Sequence, residues 1–187
     1  MTTGLAPIHS APMQSHAPEP ELKFTLAELF NEFADATYTL GYRILGDRHL
    51  AEDVVQETFI KVIRALPSYR GEGPIAAWIY RIGYREAIAI SRKRRDEVMD
   101  PDSATFTNLE APDSVEGSII SMDLIARLDA AMLQLSEPVR ATFTLRDIQG
   151  LSTREVAQVL EISESAVKMR LARAREALRV QLKEYLE

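Results

Sequence analysis

Residues 69–95 combine Arg70, Arg81, Arg85 and Arg92 with Tyr69, Trp78, Tyr80 and Tyr84. On a helical wheel Ile75, Ile79 and Ile82 fall together, with Trp78 at their margin. Tyr80, Arg81, Tyr84, Ser91, Arg92 and Arg95 fall on the other side. Rings beside guanidinium groups on an exposed face suit an unpaired nucleic-acid strand, because bases stack on rings and phosphates pair with arginines. Packing of those rings on a neighbouring element is the plainer alternative.

A second basic constellation lies in LSTREVAQVLEISESAVKMRLARAREALR, residues 151–179. Val167, Leu171, Ala174 and Leu178 recur at four, three and four and must turn inward. Ser165, Lys168, Met169, Arg170 and Arg173 are left outside, with Arg175 and Arg179 further along. Residues at the start of such a helix could meet base edges in a major groove, and later arginines could meet phosphates. A third set, Asp53, Gln56, Glu57 and Ile60, occupies i, i+3, i+4 and i+7 of AEDVVQETFIKVI. It is either a solvated charge run or a contact face beside a buried stripe of Val55, Phe59, Val62, Ile63 and Leu66.

Little else could do chemistry. The chain has no cysteine, which excludes disulfides and thiolate zinc sites and fits a reducing, cytoplasmic setting. His9, His16 and His49 are scattered. No Gly-rich phosphate loop, Cys/His cluster or Ser/His/Asp arrangement is visible, so neither an enzyme nor a cofactor is expected. No apolar run approaches the ~18 residues of a membrane span, and the N-terminus lacks a secretory pattern.

The net charge of −6 conceals segregation. Residues 1–66 carry −4, residues 67–95 carry +5, residues 96–137 carry −9 and residues 138–187 carry +2. Alternating blocks suit several partners of different sign.

The elements that must position these groups are helical throughout. Residues 1–22 are rich in Pro, Ala, Ser and Thr and read as a disordered tail. Residues 23–95 form a first helical domain: Leu26, Leu29, Phe30 and Phe33 recur at three and four, Gly46 ends a helix, and Asp47 caps the next. Pro67 stops that helix, and a loop with Gly71 and Gly73 leads to Pro74 and a helix over about 75–94. Residues 96–118, with Pro101, Pro112 and Gly117, read as a flexible acidic linker. Residues 119–187 form a second helical domain. Ile120, Leu124, Leu128, Met132 and Leu135 give one apolar face, and Pro138 opens a helix with Val139, Phe143 and Leu145 in its core. Ser152 and Glu155 make a capping box, and a turn at residues 161–163 completes a helix-turn-helix. The expected fold is all-α, with two small helical domains.

In this order, LGDRHLAEDVVQETFIKVIRAL, YRGEGPIAAWIYRIGYREAIAISRKRR and LSEPVRATFTLRDIQGLSTREVAQVLEISESAVKMRLARAREAL resemble the extracytoplasmic-function sigma factors, small two-domain members of the bacterial sigma-seventy family. The resemblance covers roughly residues 24–95 and 128–180. It implies a dissociable subunit of core RNA polymerase that recognises promoter DNA at minus-ten and minus-thirty-five elements and helps to melt it. By that resemblance Asp53, Gln56, Glu57 and Ile60 dock on the clamp helices of the largest polymerase subunit. The melted minus-ten strand meets Tyr69, Arg70, Trp78, Tyr80, Arg81, Tyr84, Arg85 and Arg92, and residues 69–74 hold a flipped base. The minus-thirty-five duplex meets Ser165, Lys168, Met169, Arg170, Arg173 and Arg175. The linker threads toward the active-site cleft, and an anti-sigma factor wedged between the domains holds the chain inactive. Two other readings fit some of the residues. A conventional helix-turn-helix regulator would leave residues 24–95 idle, and a sigma-like decoy would bind regulators or polymerase without promoters.

The chain departs from the family pattern at four places. Arg85 stands where Asn is frequent, Ala89 where Asp or Asn is frequent, Glu161 where Gly is usual in the turn, and Pro74 where Ser is commoner.

Overall fold

The computed structural model describes residues 24–71, 73–98 and 119–183. The tail expected at residues 1–22 and the linker expected at 96–118 lie outside these residues, apart from residues 96–98. Those three continue the third helix instead. Among the described residues every regular element is helical: α1 (Leu26–Leu45), α2 (Arg48–Ala65), a 3-10 turn (Leu66–Ser68), α3 (Ile75–Val98), α4 (Ile119–Gln134), α5 (Glu137–Phe143) running into a π-helical turn (Thr144–Ile148), α6 (Thr153–Leu160) and α7 (Glu164–Gln181).

Local chemistry sets the helix ends. Thr25 accepts from the Glu28 N–H while Glu28 accepts from the Thr25 N–H, a reciprocal cap that satisfies two orphan donors. Leu29, Phe33, Leu40 and Ile44 then line the buried side of α1. Gly46 ends that helix in the left-handed region at φ 68°, and Asp47 accepts from the Leu50 N–H to start α2. The α1–α2 crossing is close because Gly41 has no side chain. A Cβ there would come within 3.1 Å of Val54 Cβ and 3.3 Å of Ala51 Cα.

The buried face of α2 is Ala51, Val54, Thr58, Phe59 and Val62. This corrects the sequence expectation at its edges: Val55 is half-buried, and Ile63 is 51% exposed. Apolar residues cover more of α2 than one packing face needs, so periodicity left the face's rotation open. Phe30, expected in the core of α1, is likewise 47% exposed.

The two helical domains are packed on each other. One cluster of buried side chains runs from Leu29, Phe33, Ile79, Tyr80 and Ala87 into Ala141, Leu145, Val156 and Val159. A smaller one joins Ala131, Met132 and Leu135 to Ala174 and Leu178 of α7. Polar ties reinforce the junction. Arg140 donates to the Ile44 carbonyl at 2.9 Å and to the Leu133 carbonyl at 3.1 Å, near the C-termini of α1 and α4. Arg43 meets the buried Asp129 at 2.6 Å as a charge pair. Ser91 donates to Glu137 at 2.7 Å. Charged and polar residues read as surface in any hydrophobic pattern, so this junction was invisible to periodicity.

Leu145 is fully buried in the cluster common to both domains. Leu145→Ala is expected to cost about 2–5 kcal/mol and to shift the urea transitions reported by either domain together. A shift confined to the C-terminal domain would contradict a continuous core.

Candidate nucleic-acid and partner interfaces

Asp53, Gln56, Glu57 and Ile60 are all exposed on α2, with Val54, Thr58 and Val62 holding the opposite side of the helix in the core. A rigid backbone therefore presents them as one polar face with an apolar residue at its end. Beside this face lies a groove of about 540 Å³ lined by Leu26, Ala27, Phe30 and Asn31 of α1 and Gln56, Phe59, Ile60 and Ile63 of α2. The Phe30 ring stands edge-on to Phe59 at 4.9 Å. Leu26, Phe30 and Ile63 are functional candidates that the sequence reading put in the core or did not single out. The available signal was the excess width of the apolar stripe on α2.

The loop before α3 is braced. Tyr69 donates its hydroxyl to the Gly73 carbonyl at 2.6 Å, and its ring lies 5.2 Å from Trp78. Gly71 and Gly73 hold φ values of 72° and 112°, which only glycine adopts without strain. Arg70 projects from this loop, exposed.

Along α3 the expected strand-binding face is partly covered. Tyr80 is 5% exposed and stands edge-on to Phe33 at 6.0 Å. Its hydroxyl lies 3.4 Å from Gln149 Oε1, a long contact across the domain junction. Burial, helped by the charge of Glu32, pushes its phenol pKa up. Tyr80 is thus a core residue here and corrects the wheel argument, which assumed that α3 buries only one side. α3 packs on α1 and α2 and also on α6. Tyr84 is half-buried, and its pKa is raised by burial first and then by Glu137, with Arg170 and Arg92 acting the other way. Arg81 is half-buried. Arg85 pairs with Glu161 of the C-terminal domain, and Arg95 lies 3.6 Å from Glu137. Arg92 is exposed. Glu86, which had no account from sequence, is paired with Lys61 of α2.

The helix-turn-helix forms as its sequence requires. Ser152 accepts from the Glu155 N–H at 3.2 Å, and Glu155 accepts from the Ser152 N–H at 2.7 Å. Hydrogen bonds from the Ser152 hydroxyl first and the Ser152 N–H second hold the Glu155 carboxyl below its usual pKa. Val156, Ala157, Val159 and Leu160 are buried on α6. Glu161 ends α6 in the left-handed region at φ 55°, and Ser163 accepts from the Ala166 N–H to start α7. Val167, Leu171, Ala174 and Leu178 face inward as expected. Ser165, Lys168, Met169 and Arg173 are exposed on the outer face.

Two expected members of that face are placed differently. Arg170 is half-buried and acts electrostatically on Tyr84 of α3, so it looks toward the domain junction. Arg175 donates to both oxygens of Asp147, at 3.0 and 2.8 Å, which raises its pKa further and fixes its guanidinium. Arg146, not singled out from sequence, joins Thr153, Lys168 and Arg175 around a shallow cavity of about 220 Å³. Its only signal was a basic residue shortly before the capping box. Among the described residues no helix is long and apolar enough to cross a membrane.

Known proteins share this arrangement. Residues 29–97 match the family model for sigma-70 region 2, and residues 125–178 match that for sigma-70 region 4. The chain is 32% identical over 166 residues to the extracytoplasmic-function RNA polymerase sigma factor SigW of Bacillus subtilis, covering 84% of this chain and 89% of that one. It is 33% identical over 144 residues to the RNA polymerase sigma-H factor of Pseudomonas aeruginosa, covering 73% and 75%. Among solved structures it resembles the sigma factor RpoE of Bartonella quintana in complex with the anti-sigma factor NepR. That match has a TM-score of 0.74 at 25% identity over 84% of this chain and 96% of that one. With region 2 carried by α1–α3, region 4 carried by α4–α7, and relatives of this identity along most of its length, the chain belongs to the extracytoplasmic-function sigma factors of the sigma-70 family.

Proposed function

We propose that this sigma factor works through three separate faces, each held by its own helix. The exposed set Asp53, Gln56, Glu57 and Ile60 docks core RNA polymerase. Leu26, Phe30 and Ile63 extend that contact into the adjoining groove. A mixed face suits a subunit that must bind and later leave, because apolar area gives affinity while rim charges are easily resolvated. Tyr69, Trp78 and Arg70 at the head of α3 receive an unpaired minus-ten base. Arg81, Tyr84, Arg85 and Arg92 guide the melted strand beyond it, and Tyr80 supports them from the core. Ser165, Lys168 and Met169 read the minus-thirty-five duplex, with Arg170 beside them and Arg173 and Arg175 on phosphates.

The single observation that carries this reading is the exposed Asp53–Gln56–Glu57–Ile60 face on the same chain as a helix-turn-helix. A duplex-binding regulator has no use for the first. Initiation chemistry belongs to the polymerase, and the chain contributes binding energy rather than catalysis. That role places it in the cytoplasm with its polymerase. Restraint by an anti-sigma factor is part of the proposal, supported by the likeness to RpoE in its complex with NepR.

Replacing Asp53 and Gln56 together with Ala is expected to weaken binding to core polymerase by roughly tenfold or more with the thermal transition unmoved. Titration against labelled core reads this, and unchanged affinity would remove the docking assignment. On duplex promoter fragments Lys168→Ala should relax base preference. Arg173→Ala should weaken all sequences alike and lower the salt slope by about 1. Indistinguishable behaviour of the two variants would contradict the division between base and phosphate contacts.

A further inference from the structure

Arg85 and Glu161 are two of the positions at which this chain departs from the family pattern, and they are partners. They form an ion pair from α3 to the turn between α6 and α7, across the junction of the two domains. Glu161 is also the one non-glycine residue with positive φ among the described residues, at 55°. A glycine would adopt that conformation without strain. The chain instead keeps a strained residue there, and its carboxylate faces the helix proposed to carry the melted strand.

A second carboxylate does the same further along α3. Glu137 accepts from Ser91 at 2.7 Å and lies 3.6 Å from Arg95. Both Glu137 and Glu161 also act electrostatically on Tyr84, the residue just before Arg85 on α3. The C-terminal domain therefore sets two negative oxygen groups against the donors of α3. Strand phosphates would make the same demand on the same donors.

We propose that Glu161 and Glu137 form an anionic latch on Arg85, Ser91 and Arg95 of α3, so that the closed chain competes with single-stranded promoter for that helix until the domains separate. The proposal rests on the reading of α3 as the strand face. It adds a competitor for that face built into the chain itself. The pair's exposure sets its strength: the Arg85 and Glu161 side chains are 60% and 59% exposed, so salt and water weaken it. The Glu137 side chain is only 23% exposed and is the firmer contact. A latch of this kind biases closure rather than locking it, which suits a domain junction that polymerase must open.

Because the chain lacks cysteine, Glu52→Cys and Glu176→Cys place one dye on each domain at exposed sites outside both contacts. Single-molecule energy transfer on the full chain, at low salt and without DNA, then reads closure directly. Glu137→Gln with Glu161→Gln is expected to raise the ratio of open to closed molecules severalfold, with up to about fivefold from the exposed pair alone. Arg85→Glu with Glu161→Arg should return closure toward that of the parent. An unchanged distribution in the double Gln variant would overturn the latch. Binding of a labelled single-stranded deoxyoligonucleotide to the same variants is the second arm, and it should strengthen in step with opening. Opening without any gain in strand binding would leave the latch standing and overturn the reading of α3 as the strand face.

Discussion

One guanidinium closes two helix ends. Arg140 is 9% exposed, and it donates to carbonyls in the last turns of α1 and α4. Those carbonyls have no partner within their own helices, and the helix dipoles make them a favourable site for a cation. Burial pulls the Arg140 pKa down, and Glu137 acts against that shift. Arginine starts so far above neutrality that it stays charged. A buried charge without its partners is costly, so the contact also fixes where the first helix must lie relative to α5. With α5 anchored there, α6 is brought onto α3, and the closed arrangement of the molecule follows.

That arrangement separates the three proposed faces by accessibility. The α2 face and its apolar groove stand open, as does most of the outer side of α7. The long face of α3 is partly covered, with Tyr80 in the core and Arg85 and Ser91 meeting carboxylates of the C-terminal domain, while Arg92 stays exposed. Under the proposed latch, docking would come first and full strand capture after the domains part. Part of the acidic block of residues 96–137 lies in the domain junction, where Asp129 and Glu137 are fixed.

Much of this was legible in the sequence. Gly46 and Asp47 marked a helix boundary, Ser152 and Glu155 marked another, and the inner face of α7 was correct at all four positions. Each is a local rule, decided within a turn or two of chain. Ile63, Phe30 and Tyr80 were misplaced because burial of a helix depends on how many neighbours cover it. A wheel assumes one covering neighbour, whereas α3 has them on two sides. The domain junction was not legible at all. Its ties are Arg43, Arg140, Asp129, Glu137 and Gln149, residues whose burial is decided by partners distant in sequence. The departures at Arg85 and Glu161 could be seen individually, but only the structure pairs them.

Run-off transcription with core RNA polymerase asks whether these helices act together as a sigma factor. Purified chain would be added to core and a pool of genomic fragments, with core alone as the reference. Transcripts that depend on the chain and whose start sites share two upstream boxes are expected. Bound core without any chain-dependent transcript would contradict that role.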